Sequence, residues 1–212
     1  MMRSVLEEET AIDVQHINVK LLLDNPEDLD LDAVVNVFHS WIQDQVCEEQ
    51  LLDVADYRHV HHGPGVVLIG HEADYSIDNT DGRLGVRYNR KAPLPGSNRE
   101  RLANSLRSAL AAAERLQLDT RLNAKCGFNL QDIEIFVNDR ALVPNQHETR
   151  QVLEPEFRSF LNSLLGGAGY SLEFETDARK LFGVRINAEQ PVPIADLLAN
   201  LACPADPTYN VA

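Results

Sequence analysis

The chain is short of positive charge, of aromatic residues and of cysteine, and each shortage narrows what it does. Nineteen Lys and Arg stand against thirty-three Asp and Glu in 212 residues, a formal charge of −14. Holding a phosphate backbone or an anionic membrane surface takes clustered cations. This balance argues against nucleic acid and membrane as partners. The one basic run, Arg83, Arg87, Arg90, Lys91, Arg99, Arg101 and Arg107, reads as a solvated hairpin and helix face. No apolar run nears the ~20 residues that span a bilayer. The opening residues MMRSVLEEETAIDVQ lack the basic start and apolar block of a signal peptide. Cys47, Cys126 and Cys203 form no CxxC pair and leave an odd thiol, so the expectation is a reduced, cytoplasmic protein. There is no GxSxG nucleophile turn, no GxGxxG and no P-loop Lys-Ser/Thr, and Gly63-Pro64-Gly65 reads as a plain turn.

What is present is an alternation of strand and helix patterns. Ile17, Val19, Leu21 and Leu23 alternate with Asn18 and Lys20, which predicts a half-buried strand. A helix capped near Asp30 follows to about Val46, with Val34, Val35, Phe38, Trp41, Ile42 and Val46 on one face and Trp41 in the core. Strands are predicted at Leu51–Val60, Val66–Ile69, Tyr75–Asp78 and Leu84–Tyr88, with Asp81-Gly82 marking a tight turn. A proline link leads to a helix over Asn98–Leu116. The pattern then restarts. A strand at Ile133–Val137, a helix over Gln146–Leu165 that Pro155 stands to kink or split, strands at Tyr170–Glu175 and Leu181–Asn187, and a short helix over Pro193–Leu201 complete it.

The motif GVRxNxxxPxP occurs at 85–95 and at 183–193, with six identities in eleven positions at an offset of 98. Thr80-Asp81-Gly82-Arg83 returns as Thr176-Asp177-Ala178-Arg179, and Tyr75-Ser76 as Tyr170-Ser171. These matches keep their order. They predict an α+β protein made of two related βαββα-type halves, an internal duplication packed as one domain with a mainly antiparallel sheet and helices on one face. The halves are 12–118 and 119–203, between a loose acidic N-terminus (1–11) and a tail (204–212). The order strand–helix–strand–strand resembles the module doubled in the GyrI-like small-molecule-binding proteins, a likeness of element order that implies a ligand-binding scaffold. The first half is longer, and the surplus falls on an extra hairpin at 53–70 where His59, His61 and His62 sit. If function was added to a duplicated scaffold, that insertion is where it is expected.

Three chemical readings follow. His59 and His61, on one strand face, with His71 across the ladder, are candidate ligands for a divalent metal, which needs three or four N, O or S donors within about 2.3 Å. The hairpin register behind this places Asp56 opposite His71. Asp56 and Glu72 are the candidate catalytic bases of such a metal-dependent, hydrolase-like enzyme. Arg87 and Arg185 hold equivalent mid-strand places, where a guanidinium needs a carboxylate or a ligand, and with His71 they are the candidate ligand-binding residues. The leading expectation is a non-catalytic ligand-binding or protein-assembly module. Self-association or a protein partner would use edge strands and exposed apolar positions such as Phe136.

Overall fold

The computed structural model describes residues 12–60, 63–122 and 126–202. The expected loose N-terminus, the C-terminal tail and the ligand role given to His61 fall outside them. The elements run β1 (Ile17–Leu23), α1 (Leu31–Asp44), β2 (Leu51–Asp56), β3 (Val66–Gly70), β4 (Ala73–Asp78) and β5 (Gly85–Arg90), then α2 (Asn98–Leu118). They continue as β6 (Phe128–Val137), α3 (His147–Leu164), β7 (Tyr170–Phe174), β8 (Phe182–Ala188) and α4 (Ile194–Ala202). All eight strands join one antiparallel sheet in the order β2-β3-β4-β5-β1-β6-β8-β7. Among the described residues the protein is thus a mixed α+β fold, one eight-stranded antiparallel sheet with four helices. The strand–helix–strand–strand order is simple only in the later part, β6-α3-β7-β8; in the earlier part β2 and β3 intervene.

Strand side chains alternate between faces, and the register sorts them cleanly. Tyr75, Tyr88, Val19 and Ile135 lie in one transverse row, and Ile77, Val86, Leu21 and Ile133 in the next; all are buried. Phe38 and Trp41 of α1, Leu102, Leu106 and Leu110 of α2, and Leu153, Phe157 and Leu161 of α3 join them in one core. Each such side chain stabilises by roughly 1.5–3 kcal/mol on full burial, so this face supplies most of the folding drive. Trp41 is a core residue, its ring 5.4 Å from Phe38 and 6.4 Å from Tyr75. The helix starts are set locally. Asp30 accepts from the amides of Asp32 and Ala33, and Ser97 with Glu100 forms a capping box ahead of α2. Pro155 does not split α3 into two elements. It sits on the exposed side, where its missing N–H removes a single hydrogen bond.

Three expectations need correction. The strand predicted over Leu51–Val60 stops at Asp56, which pairs with Val66 rather than facing His71. The Tyr57 amide closes the ladder on the Gly65 carbonyl at 2.8 Å, and Arg58 folds back on Asp56, so the chain leaves the sheet there. The extra hairpin, the place where added function is expected, forms the outer edge of the sheet, with two strands between β3 and β1. Finally, β1 is not half-buried. All seven of its residues are buried, Asn18 and Lys20 included.

Candidate functional site

The burial of Asn18 and Lys20 leads to the site. Ser76, Arg87, Lys20, Glu134, Arg185 and Glu173 form one row across β4, β5, β1, β6, β8 and β7, on the face away from the core. Such a row is ordinarily solvated. Here Lys20 is only 1% exposed and Asp78 of β4 likewise. Two hairpin turns, 79–84 and 175–181, curl over this face and account for it. Thr80 gives its carbonyl to Lys20 Nζ at 3.3 Å, and Arg83 reaches across β1 to the carboxylates of Asp132 and Glu134 on β6. From the other side Lys180 Nζ comes within 3.9 Å of Asp81. Gly85 and Gly183 let the strands close up beneath. A Cβ on Gly85 would strike the Leu21 carbonyl, and one on Gly183 would lie 3.1 Å from the Phe136 ring.

Between the turns lies a cavity of about 330 Å³, with Lys20, Asp78, Arg87 and Phe136 among its lining and Arg140 at its margin. A second, of about 190 Å³, adjoins it toward β7 and takes in Glu134, Glu173 and Arg185. Lys20 Nζ donates to Asp78 Oδ1 at 2.6 Å. Burial pushes the Asp78 carboxyl up, but the charge and hydrogen bond of Lys20, with Arg87 and the Thr80 hydroxyl, outweigh it, and the group lies below the usual carboxylate range. The two are therefore an ion pair almost wholly out of water. Arg87 donates from Nε and Nη2 to the single Asn18 Oδ1, at 3.1 and 3.0 Å. Its Nη1 is 3.7 Å from Asp78 Oδ2, and the guanidinium lies 5.7 Å from the centre of the Phe136 ring. A guanidinium carries five N–H donors, so Arg87 keeps donors for a ligand. Arg140 has no hydrogen-bond or ion-pair partner among the described residues.

The expected site residues are dispersed. Arg87 and Arg185 line adjoining cavities of the groove, and each has an acidic neighbour: Asp78 for Arg87, and Glu134 at 3.3 Å for Arg185. His71 is elsewhere. It and Glu72 are the two turn residues between β3 and β4, so these sequence neighbours meet, Nδ1 to Oε1 at 3.2 Å, as strand residues would not. His59 follows β2 in the edge loop. Among the described residues no three His, Cys, Asp or Glu side chains come together as a metal would require. Asp56 is clamped by Arg58, whose hydrogen bonds hold its carboxyl down to about 2. The Gln50 amide, with His71, lowers that of Glu72. Both are fixed as anions, whereas a general base works best with a pKa near the working pH. Phe136, expected to be exposed, is half-buried inside the groove.

Two other features compete for attention. Glu49, buried behind the sheet, accepts from Tyr75 Oη at 2.7 Å and Tyr88 Oη at 2.8 Å. Both phenols are pushed well up, first by burial and then by neighbouring negative charge. The hydroxyls and the carboxylate satisfy one another, and the arrangement ties the α1–β2 link to the core. A larger cavity, about 890 Å³, lies on the helix side between α2, α3 and α4. Three of its polar groups serve helix ends: Arg107 holds the Leu201 carbonyl, Asn200 the Leu164 carbonyl, and Glu100 the Ser97 amide; Arg99 lies over the Phe160 ring, and Asn104 Oδ1 is buried without a partner among the described residues. Among the described residues, the groove sets unspent donors over an ion pair in which both side chains are almost wholly out of water.

Lys20, Asp78, Glu134 and Arg140 are the groove residues that sequence reasoning missed. A lysine alternating with Ile, Val and Leu reads as the solvent side of a strand, and only the turns folded over it make it a floor. No helix of the described residues is long and apolar enough to cross a membrane. Compared with known proteins, the chain matches no family model, no curated protein and no solved structure.

Proposed function

We propose that the protein is a non-catalytic ligand-binding module built from two related halves, and that the groove over β1 and β6 takes a small ligand bearing a carboxylate or phosphate. The observation that carries this is the Lys20–Asp78 pair. Burying two charges costs several kcal/mol per ion, and well-packed apolar side chains often do the structural job better. A pair kept at the floor of a cavity, with the free donors of Arg87 and Arg140 above it, is explained by recognition rather than by stability.

The register supports the duplication. Arg87 pairs with Lys20, and Arg185, its counterpart at the offset of 98, pairs with Glu134. Lys20 and Glu134 are thereby equivalent positions, and they face each other across β1 and β6. A twofold axis in an antiparallel pair demands that coincidence. By the same reasoning Asp78 corresponds to Glu175, and Tyr75 to Leu172 rather than to Tyr170. The groove then sits on the axis, roofed by two equivalent turns. Assembly through the β2 edge has less support: a bulge, and an Asp53 carboxylate on the Val54 amide, blunt that strand against pairing.

The test is a thermal-shift screen of carboxylates and phosphates against the protein and Arg140→Ala. A ligand at 100 times its Kd stabilises by about 2.7 kcal/mol, a rise in Tm of roughly 5–10 °C for a chain of this size. A rise that Arg140→Ala abolishes, with the ligand-free Tm unchanged, supports the reading. A panel with no shift, or shifts indifferent to Arg140, refutes it.

A further inference from the structure

The two ends of the sheet are not alike. Arg87 pairs with Ser76 of β4, and Arg185, its counterpart at the offset of 98, pairs with Glu173 of β7. Tyr75 and Ile77 are thereby the counterparts of Leu172 and Phe174. In an antiparallel ladder alternate residues turn their backbone groups to opposite neighbours. The Lys91 amide donates to the Glu72 carbonyl at 2.9 Å, so Glu72, Asp74 and Ser76 turn theirs toward β5. Ala73, Tyr75 and Ile77 turn theirs toward β3, where Leu68 and Val66 stand opposite the last two.

In β7 the equivalent groups are left over. The Glu189 amide donates to the Gly169 carbonyl at 2.8 Å and the Glu175 amide to the Gly183 carbonyl at 2.9 Å, so Ser171 and Glu173 face β8. Tyr170, Leu172 and Phe174 turn their amides and carbonyls outward at the end of the sheet, with no partner among the described residues. The β2–β3 hairpin covers in one half what is bare in the other. β7 also lacks the usual protection of an edge: it has no proline and no lysine, and, unlike β2, no bulge. The side chains of Tyr170, Leu172 and Phe174 are only half-buried at the rim of the core.

We infer that β7 takes a second copy of the chain, pairing antiparallel with β7 of that copy about a twofold axis at Leu172. Leu172 then faces Leu172 and Tyr170 faces Phe174, each pair exchanging two backbone hydrogen bonds. The Tyr170–Phe174 contacts lie on the core face, where aromatic cross-strand pairs stabilise a ladder. The strand is complementary to itself in charge as well. Glu173 is its one charged residue, and the axis sets it against the partner's Ser171 rather than against its own copy. In a chain of charge −14 that spacing matters, since like charges directly opposite destabilise a ladder. A contact this short makes a weak, reversible dimer. The choice of edge rests on the duplication proposed above; the free backbone groups rest on the register alone.

Sedimentation equilibrium of the full chain from about 5 to about 500 µM tests it, and a monomer–dimer equilibrium is expected within that range. Ser171 is exposed, so it accepts a charge without disturbing the fold, which circular dichroism checks. Ser171→Glu sets carboxylates against the partner's Glu173 on both sides of the axis and should weaken the dimer roughly twofold to thirtyfold. Ser171→Lys turns the same contacts into ion pairs and should strengthen it by a similar factor. Leu172→Pro removes the outward N–H at the axis while sparing the bonds to β8, and should weaken the dimer at least about fivefold. A chain that stays monomeric at about 500 µM overturns the inference. A dimer indifferent to all three substitutions has its interface elsewhere and overturns it too. So does a dimer that both charges shift in the same direction, which excludes this register. None of these outcomes bears on the groove, whose own test is the thermal shift with Arg140→Ala.

Discussion

Replacing Lys20 by Met tests the reading of the groove floor most sharply. The substitution keeps most of the side-chain volume and removes the charge, stranding an Asp78 carboxylate that is 1% exposed. What remains to it is the Thr80 amide at 3.2 Å, the Thr80 hydroxyl at 2.8 Å and Arg87 at 3.7 Å. Removing one partner of a buried pair costs about 3–5 kcal/mol. The surviving hydrogen bonds place the expected loss near the lower end, about 3 kcal/mol. Chemical denaturation monitored by circular dichroism measures it, with a matching fall in Tm of roughly 6–12 °C. Lys20→Met with Asp78→Leu removes both charges and should recover most of the loss, since apolar replacement of a whole buried pair is often neutral or better. The reasoning fails if Lys20→Met costs less than about 1 kcal/mol, which would mean that water already reaches Asp78. It fails equally if the double variant is no more stable than the single one.

Other expectations follow from the same contacts. Because the Asp78 carboxyl is lowered in the folded protein, its contribution is present above its unfolded pKa of about 3.9 and fades as pH falls through the folded value. The stability gap between the parent and Asp78→Asn should therefore be full at pH 6–7 and shrink in acid, as parallel denaturation curves from pH 7 to pH 3 would reveal. Glu49→Ala leaves the Tyr75 and Tyr88 hydroxyls buried without their acceptor, at about 1–3 kcal/mol each; a total loss under 1 kcal/mol by denaturation would contradict the network. Cys47 and Cys126 are pushed up by burial to about 11 and about 12, so at pH 8 iodoacetamide should leave both unlabelled in the folded protein and label both in urea, as peptide mass mapping would report. Ser97→Ala removes the α2 cap and should cost about 1 kcal/mol, again read from denaturation midpoints.

Much of the architecture was legible because it rests on local chemistry. The helical spacing of Val34, Phe38 and Trp41, the alternation of Ile133, Ile135 and Val137, and the Asp81-Gly82 turn each announce their element. The site was less legible, because it depends on which strands become neighbours. GVRxN at β5 and β8 identified Arg87 and Arg185, and both reached the groove. Lys20 and Asp78 are 58 residues apart, and nothing in either local pattern separates a buried polar residue from a solvated one. The register of the histidine-rich segment was misjudged for the opposite reason. The segment's density of chemistry-bearing side chains is local, but Arg58 folding onto Asp56 ends the strand early, and the hairpin lies at the far edge of the sheet. A register guessed from turn position slipped by several residues, and with it every cross-strand pairing that placed His71 near Asp56.

The central claim is that ligand enters the groove over β1 and β6, and amide chemical-shift mapping of the labelled full chain tests it most directly. Titrating whichever anion gives the best thermal shift should move amides of the turns 79–84 and 175–181 together with those near Phe136 and Arg140. The α2 amides that line the helix-side cavity should stay still. Shifts concentrated around Arg99 and Asn104, or around His71 and Glu72, would contradict the account and move the site to the helix side or to the sheet edge.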